Sequence, residues 1–389
     1  MEERRQIVTD YKRRGLSISK SVMVAGMSRS SYYYRPKSGK PGRKASTHTR
    51  LVNGNEVSNQ EVVDIIKELL GLDFVDYGYL KVTHWLNQHG YYISDDKVYR
   101  LMKENNLLNK SIKPSPARQY VKFYRVLPNR PFEVLEMDIK FIYIHGTGSN
   151  AMVLTILDTF TRQVLAWKCQ LSIRKTDVKS LIDQLIIEHL QPNDLLKQDI
   201  QVSIRSDNGS QFIAKLVRNC LRENFIIQEF TQPATPQQNG HIESFHSIVR
   251  RSVEEKYEFE SIKHLKNILE AFYSFYNQYR VHSSICYLSP LMFQWAWEQE
   301  LVIVVENQKH QRKRFKLLNL PVNLVKDYYF ANFALSSKAE TGSAGEQPVR
   351  NNLTDLNSLG GDYNSPNFNK LFNSFMPFKT HNKNINLYN

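Results

Sequence analysis

The sequence predicts an α/β (α+β) core, a mixed five-stranded sheet with flanking helices, preceded by small all-α helix-turn-helix units. Three observations carry this. Between residues 131 and 253, three strand-like segments form a meander and then give way to alternating helix and strand, the cadence of a mixed sheet. Apolar positions before residue 110 keep helical spacing. A length of 389 residues favours two or three domains over one small core.

Taken in order, residues 1–40 form an N-terminal helix-turn-helix-like segment. An apolar helical stretch ends at Gly26, Ser28 caps the next helix, and that helix carries Arg29, Ser30 and Tyr32 to Tyr34. Residues 41–59 read as a basic linker. Residues 60–109 form a second helix-turn-helix-like, DNA-binding unit. There Val62, Ile65, Ile66 and Leu69 share a face, as do Leu80, Val82, Trp85 and Leu86, and Ser94 or Asp95 caps a third helix. Residues 110–130 are another basic linker. Within the core, 131–300, strands are expected at 134–144, 151–160, 163–171, 200–206 and 226–231. Helices are expected from a cap at Thr176, at 211–224, from Asn239 and across 261–300. Residues 301–335 read as a small basic appendage, with strands at 301–305 and 317–325, and 336–389 as a disordered tail.

A formal charge of +14 suits a polyanionic partner. The excess is uneven: residues 1–50 hold 13 Lys and Arg against 3 acids, and 110–130 add Lys110, Lys113, Arg118, Lys122, Arg125 and Arg130 with no acid. A solvated linker explains one such run; two of them favour nucleic acid. Cys169, Cys220 and Cys286 are scattered with no CxxC pair, which argues against a disulfide framework or a thiolate zinc site. No stretch approaches the roughly 18 apolar residues of a membrane span, and the polar start lacks a signal peptide's apolar segment. A cytoplasmic protein with no membrane partner is expected.

Asp138, Asp207 and Glu243 are the candidate catalytic and metal-binding residues, because converging carboxylates can hold the two cations that phosphodiester chemistry uses. Side chains alternate along a strand, so Glu136, Asp138 and Lys140 share the polar face opposite Met137, Ile139 and Phe141. From this strand alone, an acid facing water accounts for Asp138 equally well. Asp207 follows a strand at its carboxyl end, where open sheets collect ligands, and Asn208-Gly209 is also a plain turn signal. Glu243 flanks a buried stripe of Ile242, Phe245, Val249 and Val253. Seven residues at about 100° fall roughly 20° short of two turns, so Arg250 lies along the helix from Glu243, with His246 and Ser247 beside that line.

The contexts Ser206-Asp207-Asn208-Gly209-Ser210-Gln211-Phe212 and Thr235-Pro236-Gln237-Gln238-Asn239-Gly240-His241-Ile242-Glu243-Ser244-Phe245, together with Asp138, resemble the Asp-Asp-Glu core of the retroviral-integrase and bacterial-transposase superfamily. Tyr276-Asn277-Gln278-Tyr279-Arg280-Val281-His282 and Tyr287-Leu288-Ser289-Pro290 resemble the end of that core in insertion-sequence transposases of the IS-three family. Tyr77-Gly78-Tyr79 and Val98-Tyr99-Arg100-Leu101-Met102 resemble the segment before it, and Ser28-Arg29-Ser30-Ser31-Tyr32-Tyr33-Tyr34 resembles the opening of the family's second reading frame. The likeness implies an RNase H-like polynucleotidyl transferase that cleaves element ends and joins them to DNA by attack of a 3′-OH. It also implies two Mg²⁺ ions, for which Mn²⁺ can substitute, held by the three acids. As partners it implies double-stranded DNA, a homo-oligomer on that DNA, and the product of an upstream reading frame. A bacterial, nucleoid-associated location goes with them.

Candidate DNA contacts beside the acids are Asn208, Gln238, Asn239, His246 and Arg250, with Tyr276, Asn277, Arg280 and His282 as supporting or DNA-facing positions. In the second helical unit they are Lys81, His84, Lys97, Tyr99, Arg100 and Lys103. The chain departs from the family at Val281, where proline is usual, and at Ile285-Cys286, where Leu-Gly is usual. The two-His two-Cys zinc module of retroviral integrases is absent, since no Cys precedes residue 169. Two other readings stay open: an RNase H-like nuclease that only hydrolyses, and a catalytically silent DNA-binding repressor.

Overall fold

The computed structural model describes residues 1–35, 45–109, 128–231, 239–307, 312–318 and Tyr328. It divides into two units, Met1–Thr47 and His48–Asn389. The first holds α1 (Glu2–Arg13), α2 (Ile18–Val24) and α3 (Arg29–Tyr33) around Val8, Val22 and Ala25. The Ser28 hydroxyl accepts the Ser31 N–H at 3.0 Å and so caps α3.

The second unit opens with two strands, β1 (His48–Leu51) and β2 (Glu56–Ser58), where the sequence predicts a linker. Strands this short carry no period-two signal; the Asn53-Gly54 turn, with Gly54 at φ +89, was the legible part. Next come α4 (Asn59–Gly71), α5 (Tyr79–Gln88), β3 (Tyr91–Tyr92) and α6 (Asp95–Glu104). β3 completes a small sheet beside β1. Ser58 and Glu61 cap α4 reciprocally, and Ser94 is the residue that caps α6.

The core follows as β4 (Val134–Ile144), β5 (Ser149–Asp158), β6 (Val164–Gln170), α7 (Lys175–Leu185), β7 (Val202–Ser206), α8 (Ser210–Ile213), α9 (Lys215–Glu223), β8 (Ile226–Phe230), α10 (Gly240–Val249), α11 (Ile262–Gln278) and α12 (Pro290–Glu298). Sheet order is β6-β5-β4-β7-β8, antiparallel from β6 to β4 and parallel from β4 to β8. This is the expected RNase H-like mixed sheet. Leu135, Met137, Ile156 and Ile204 pack one face against Val178, Leu181 and Ile182 of α7 and Val217 and Leu221 of α9. Ile142, Val153 and Val164 pack the other against Phe245 of α10 and Phe272 and Tyr273 of α11. Arg174 rather than Thr176 stands at the N-cap of α7. The helix expected at 211–224 breaks at Ala214, whose ψ of 140° is extended. π-helical turns, Ile186–Leu190 and Arg250–Glu254, continue α7 and α10.

At the C-terminal end β9 (Val302–Asn307) pairs with β10 (Arg312–Leu317), a strand that begins within the basic run, while residues 319–325 of the strand expected at 317–325 lie outside the described residues. Phe315 packs against Phe160 and Phe293 and draws β10 onto the core. The expected linker at 110–127, the tail at 336–389 and Gln238 fall outside the described residues.

The α4–α6 unit shares one hydrophobic core with α10 and α11; Phe74, for instance, meets Phe272 edge-on at 5.5 Å. A polar joint fastens the two. Arg280 is fully buried, with Nη2 2.5 Å from Asp76 Oδ1 and Nη1 donating to the Phe74 carbonyl at 3.4 Å. Arg251 Nε donates to the other Asp76 oxygen at 3.2 Å. The Val281 N–H donates to the Tyr77 hydroxyl at 3.1 Å, Gln88 donates to the Tyr287 carbonyl at 2.7 Å, and His84 stacks on Tyr287. Arg280, Tyr276 and His282 are therefore interior residues, which corrects the expectation that they face DNA. Asn277 is likewise structural, bonded to both backbone groups of Val164.

Burial alone would raise the Asp76 pKa. The charges of Arg280 and Lys81 and the bonds from Arg280 and Arg251 outweigh it and hold the carboxyl below its usual 3.8. A folded-state pKa depressed in this way contributes stability that is complete above 3.8 and lost as pH falls through the lower folded value. Replacing Asp76 by Asn leaves the Arg280 charge buried without its partner and is expected to cost about 3–5 kcal/mol at pH 7. Denaturant melts at pH 7 and pH 3 check this: the gap between variant and parent should narrow in acid, where the unfolded chain's Asp76 takes up a proton before the folded one does.

Candidate active site

Asp138 lies on β4, at the centre of the sheet. Thr155 of β5 faces it across the antiparallel pair, and the Thr155 hydroxyl is 3.0 Å from the Tyr273 hydroxyl of α11. On the other side, β4 runs parallel to β7 with Glu136 opposite Arg205. That register ends at Glu136 and Arg205; Asp207 follows the end of β7 at Ser206, near enough to Asp138 for its charge to raise the Asp138 pKa. Asp207 Oδ1 accepts the Gly209 N–H at 2.9 Å, and Asn208 Nδ2 donates to the Thr231 carbonyl at 2.9 Å, which pins this turn to the end of β8. A Cβ on Gly209 would stand 3.0 Å from Asp207 Oδ1 and closer still to Gln211, so the glycine lets the turn close.

Glu243 comes to the same face on α10. The strand face that the sequence marks as polar looks onto this helix rather than onto water. Glu136 Oε2 accepts the Ile242 N–H at 2.7 Å, and its other oxygen lies 3.0 Å from His241 Nδ1. Asp138 Oδ2 is 3.5 Å from His246 Nδ1. Lys140 Nζ comes within 2.9 Å of Glu254 Oε1, an ion pair whose angles fall short of a hydrogen bond. Glu136, fully buried, is the residue that sequence reasoning passed over; its position two before Asp138, on one strand face, was the available signal.

Burial pushes the Asp138 carboxyl up to about 6. The Ile139 N–H opposes this, while the charges of Asp207, Glu243 and Glu136 add to it. Glu243 is raised as well, by burial and by Glu136. His246 is pushed down to about 4 by burial and by the Lys140 charge, so at neutral pH its contact with Asp138 is polar and not ionic. Asp138 thus feels the charges of both other acids. Among the described residues, no three His, Cys, Asp or Glu side chains stand close enough to form a ready-made cation cage. Their donors are all carboxylate oxygens, the chemistry that suits Mg²⁺ or Mn²⁺.

The remaining candidates divide by exposure. Arg250 is exposed, 3.4 Å from Glu255, whereas Asn239 is buried at the N-cap of α10. Lys81 is turned inward over the Tyr77 ring, and burial and the Arg280 charge push its pKa down to about 7. With His84 stacked on Tyr287, α5 faces the core. Tyr99 and Lys103 are exposed on α6, where Lys97 and Arg100 are half-buried and Lys97 bonds the His48 carbonyl. No helix among the described residues is long and apolar enough to cross a membrane.

Two models of the integrase core domain family match residues 128–236 and 225–290, and one of an HTH-like domain matches residues 58–114. The chain is 24% identical over 281 residues to a 31.7 kDa protein of insertion element IS407 from Burkholderia multivorans, covering 72% of this chain and 90% of that one. It is 26% identical over 222 residues to the transposase InsD for insertion element IS2D from Escherichia coli (strain K12), covering 55% and 72%. Among solved structures, the HTLV-2 integrase catalytic core domain in complex with magnesium aligns over 43% of this chain and 98% of that one, at 15% identity and a TM-score of 0.31. The chain thus carries an HTH-like domain followed by an integrase core domain, in the expected order, and is similar to insertion-element transposases, as the resemblance to the IS-three family implies.

Proposed function

We propose that Asp138, Asp207 and Glu243 hold two Mg²⁺ ions, or Mn²⁺ in their place, and that this one site cleaves the element's ends and joins them to target DNA. The observation that carries the reading is that Asp138 of β4 stands within reach of the charges of Asp207, at the end of β7, and Glu243 of α10, both of which raise its pKa. When bound, the ions supply charge stabilisation at the attacking and leaving oxygens of an in-line displacement. The carboxylates orient them, and their mutual repulsion is what a divalent cation relieves. His246, uncharged at neutral pH, sits against Asp138 without competing for the ions as a cation.

Double-stranded DNA is the proposed partner. Tyr99, Lys103, Lys97 and Arg100 of α6 are proposed to meet it on the helical unit, and Arg250 beside the acids. Assembly into a homo-oligomer on DNA, and association with the product of an upstream reading frame, belong to the same proposal.

On a duplex carrying the element's terminal repeat, Glu243→Gln is expected to abolish Mg²⁺-dependent cleavage and strand transfer while end binding persists. Supplying a precleaved 3′-OH end separates a transposase from an enzyme that only hydrolyses: the parent chain should join that end to a target. Residual Mg²⁺-dependent activity in the Gln variant would remove Glu243 from the site. Arg250→Ala is expected to weaken DNA binding across sequences and to lower the slope of log K against log salt by about 0.9, the loss of one phosphate contact. A salt titration of binding reads both.

A further inference from the structure

We infer that Glu136 is a positioning residue for the helix that carries Glu243: it caps α10 from the neighbouring strand and sets that helix in register over Asp138. The inference deepens the metal-site reading and rests on it.

The first turn of a helix leaves backbone N–H groups that need partners. At α10 the N-cap residue, Asn239, makes no capping bond, and its Oδ1 has no partner among the described residues. The Ile242 N–H, third in the helix, is the group an N-cap side chain commonly serves. Here Glu136 Oε2 takes it instead, at 2.7 Å, from 106 residues away in sequence. The other Glu136 oxygen lies against His241. Glu136 is fully buried, so it has no water to turn to, and a buried carboxylate is costly unless bonded. The positive end of a helix is where such a charge is favoured. With both oxygens engaged and no exposed surface, Glu136 has nothing to offer an ion or a phosphate directly.

The spacing shows why this anchor sets a register. Alternate strand residues stand roughly 6.6 Å apart, and residues four apart on a helix about 6 Å. Glu136 and Asp138 therefore meet Ile242 and His246 in step, with Lys140 and Glu254 further along. Glu243 follows the anchored Ile242 directly. Loss of the anchor frees the first turn, and with it the carboxylate that completes the acid trio.

The test compares Glu136→Ala, Glu136→Gln, Glu136→Asp and Glu243→Gln in the full chain. It uses Mn²⁺ binding by calorimetry or electron paramagnetic resonance, the Mn²⁺ requirement of end cleavage, and thermal melting. Glu136→Ala should weaken Mn²⁺ binding by about 10-fold and raise the Mn²⁺ needed for half-maximal cleavage in proportion, as loss of a supporting hydrogen bond typically does. Glu136→Gln keeps an oxygen for the Ile242 N–H and should restore near-parental binding. Glu136→Asp, one methylene short, should not. Should the Ala variant fail to fold, the contrast between Gln and Asp decides the matter. Parental Mn²⁺ affinity in the Ala variant, even with a lowered melting temperature, would reduce Glu136 to a structural role, and so would equal impairment of Gln and Asp. Glu243→Gln binding Mn²⁺ as tightly as the parent would instead overturn the metal-ligand reading itself.

Discussion

Strand β4 is paired on both edges and packed on both faces, and the rest of the core takes its position from it. One edge accepts β5 antiparallel through ten residues, and the other accepts β7 parallel through three. Asp207 follows directly on the end of β7, the strand that this parallel pairing holds beside β4. The face itself divides the labour by residue type. Met137 and Leu135 seat the sheet on the α7 and α9 layer, while Glu136, Asp138 and Lys140 meet the α10 layer through polar contacts. Hydrophobic packing alone would let a helix slide along a strand at little cost, since apolar contacts are non-directional. Hydrogen bonds and ion pairs have a definite partner, so they choose one register.

The same division appears at the joint between the helical unit and the core. Apolar residues on both sides merge into one cluster, and the buried Asp76–Arg280 pair specifies how they meet. Such a pair adds little net stability over an apolar isostere, but breaking it leaves a stranded charge, which penalises any other docking. The joint takes Lys81 and His84 of α5 into its interior and leaves Tyr99 and Lys103 of α6 outside. A helical unit held in this way presents α6 at a set orientation to the acid site.

Long elements and end-of-strand acids were legible because their signals are local. β4 shows its alternation within 134–144, α10 its stripe from Ile242 to Val253, and the Asp207 turn its Asn-Gly pair. Contacts between distant segments left no such mark. Arg280 sits among polar and aromatic neighbours in sequence and reads as a surface cation; only the arrival of Asp76, 204 residues earlier, makes it an interior one. Glu136 was passed over for a related reason. A helix N-cap is sought just before the helix, at Asn239, and the actual acceptor comes from another element. The β1–β2 hairpin failed on length, and the break at Ala214 lies inside an otherwise continuous helical pattern.

The segment after α11 bears on this joint through two of its residues, and each has a physical consequence. Val281 has a backbone N–H, which a proline would lack, and gives it to the buried Tyr77 hydroxyl, a bond across the joint. A glycine would take a left-handed conformation freely; Cys286 adopts it at φ +59, where an L side chain costs roughly 1–2 kcal/mol. The following Tyr287, also left-handed at φ +58, is the residue whose ring stacks on His84 and whose carbonyl receives Gln88. The loop therefore accepts strain in two consecutive residues where both of its contacts to α5 are made. A hydrogen bond at one end of this short segment and accepted strain at the other help keep the helical unit seated, while β4, β7 and α10 carry the acids.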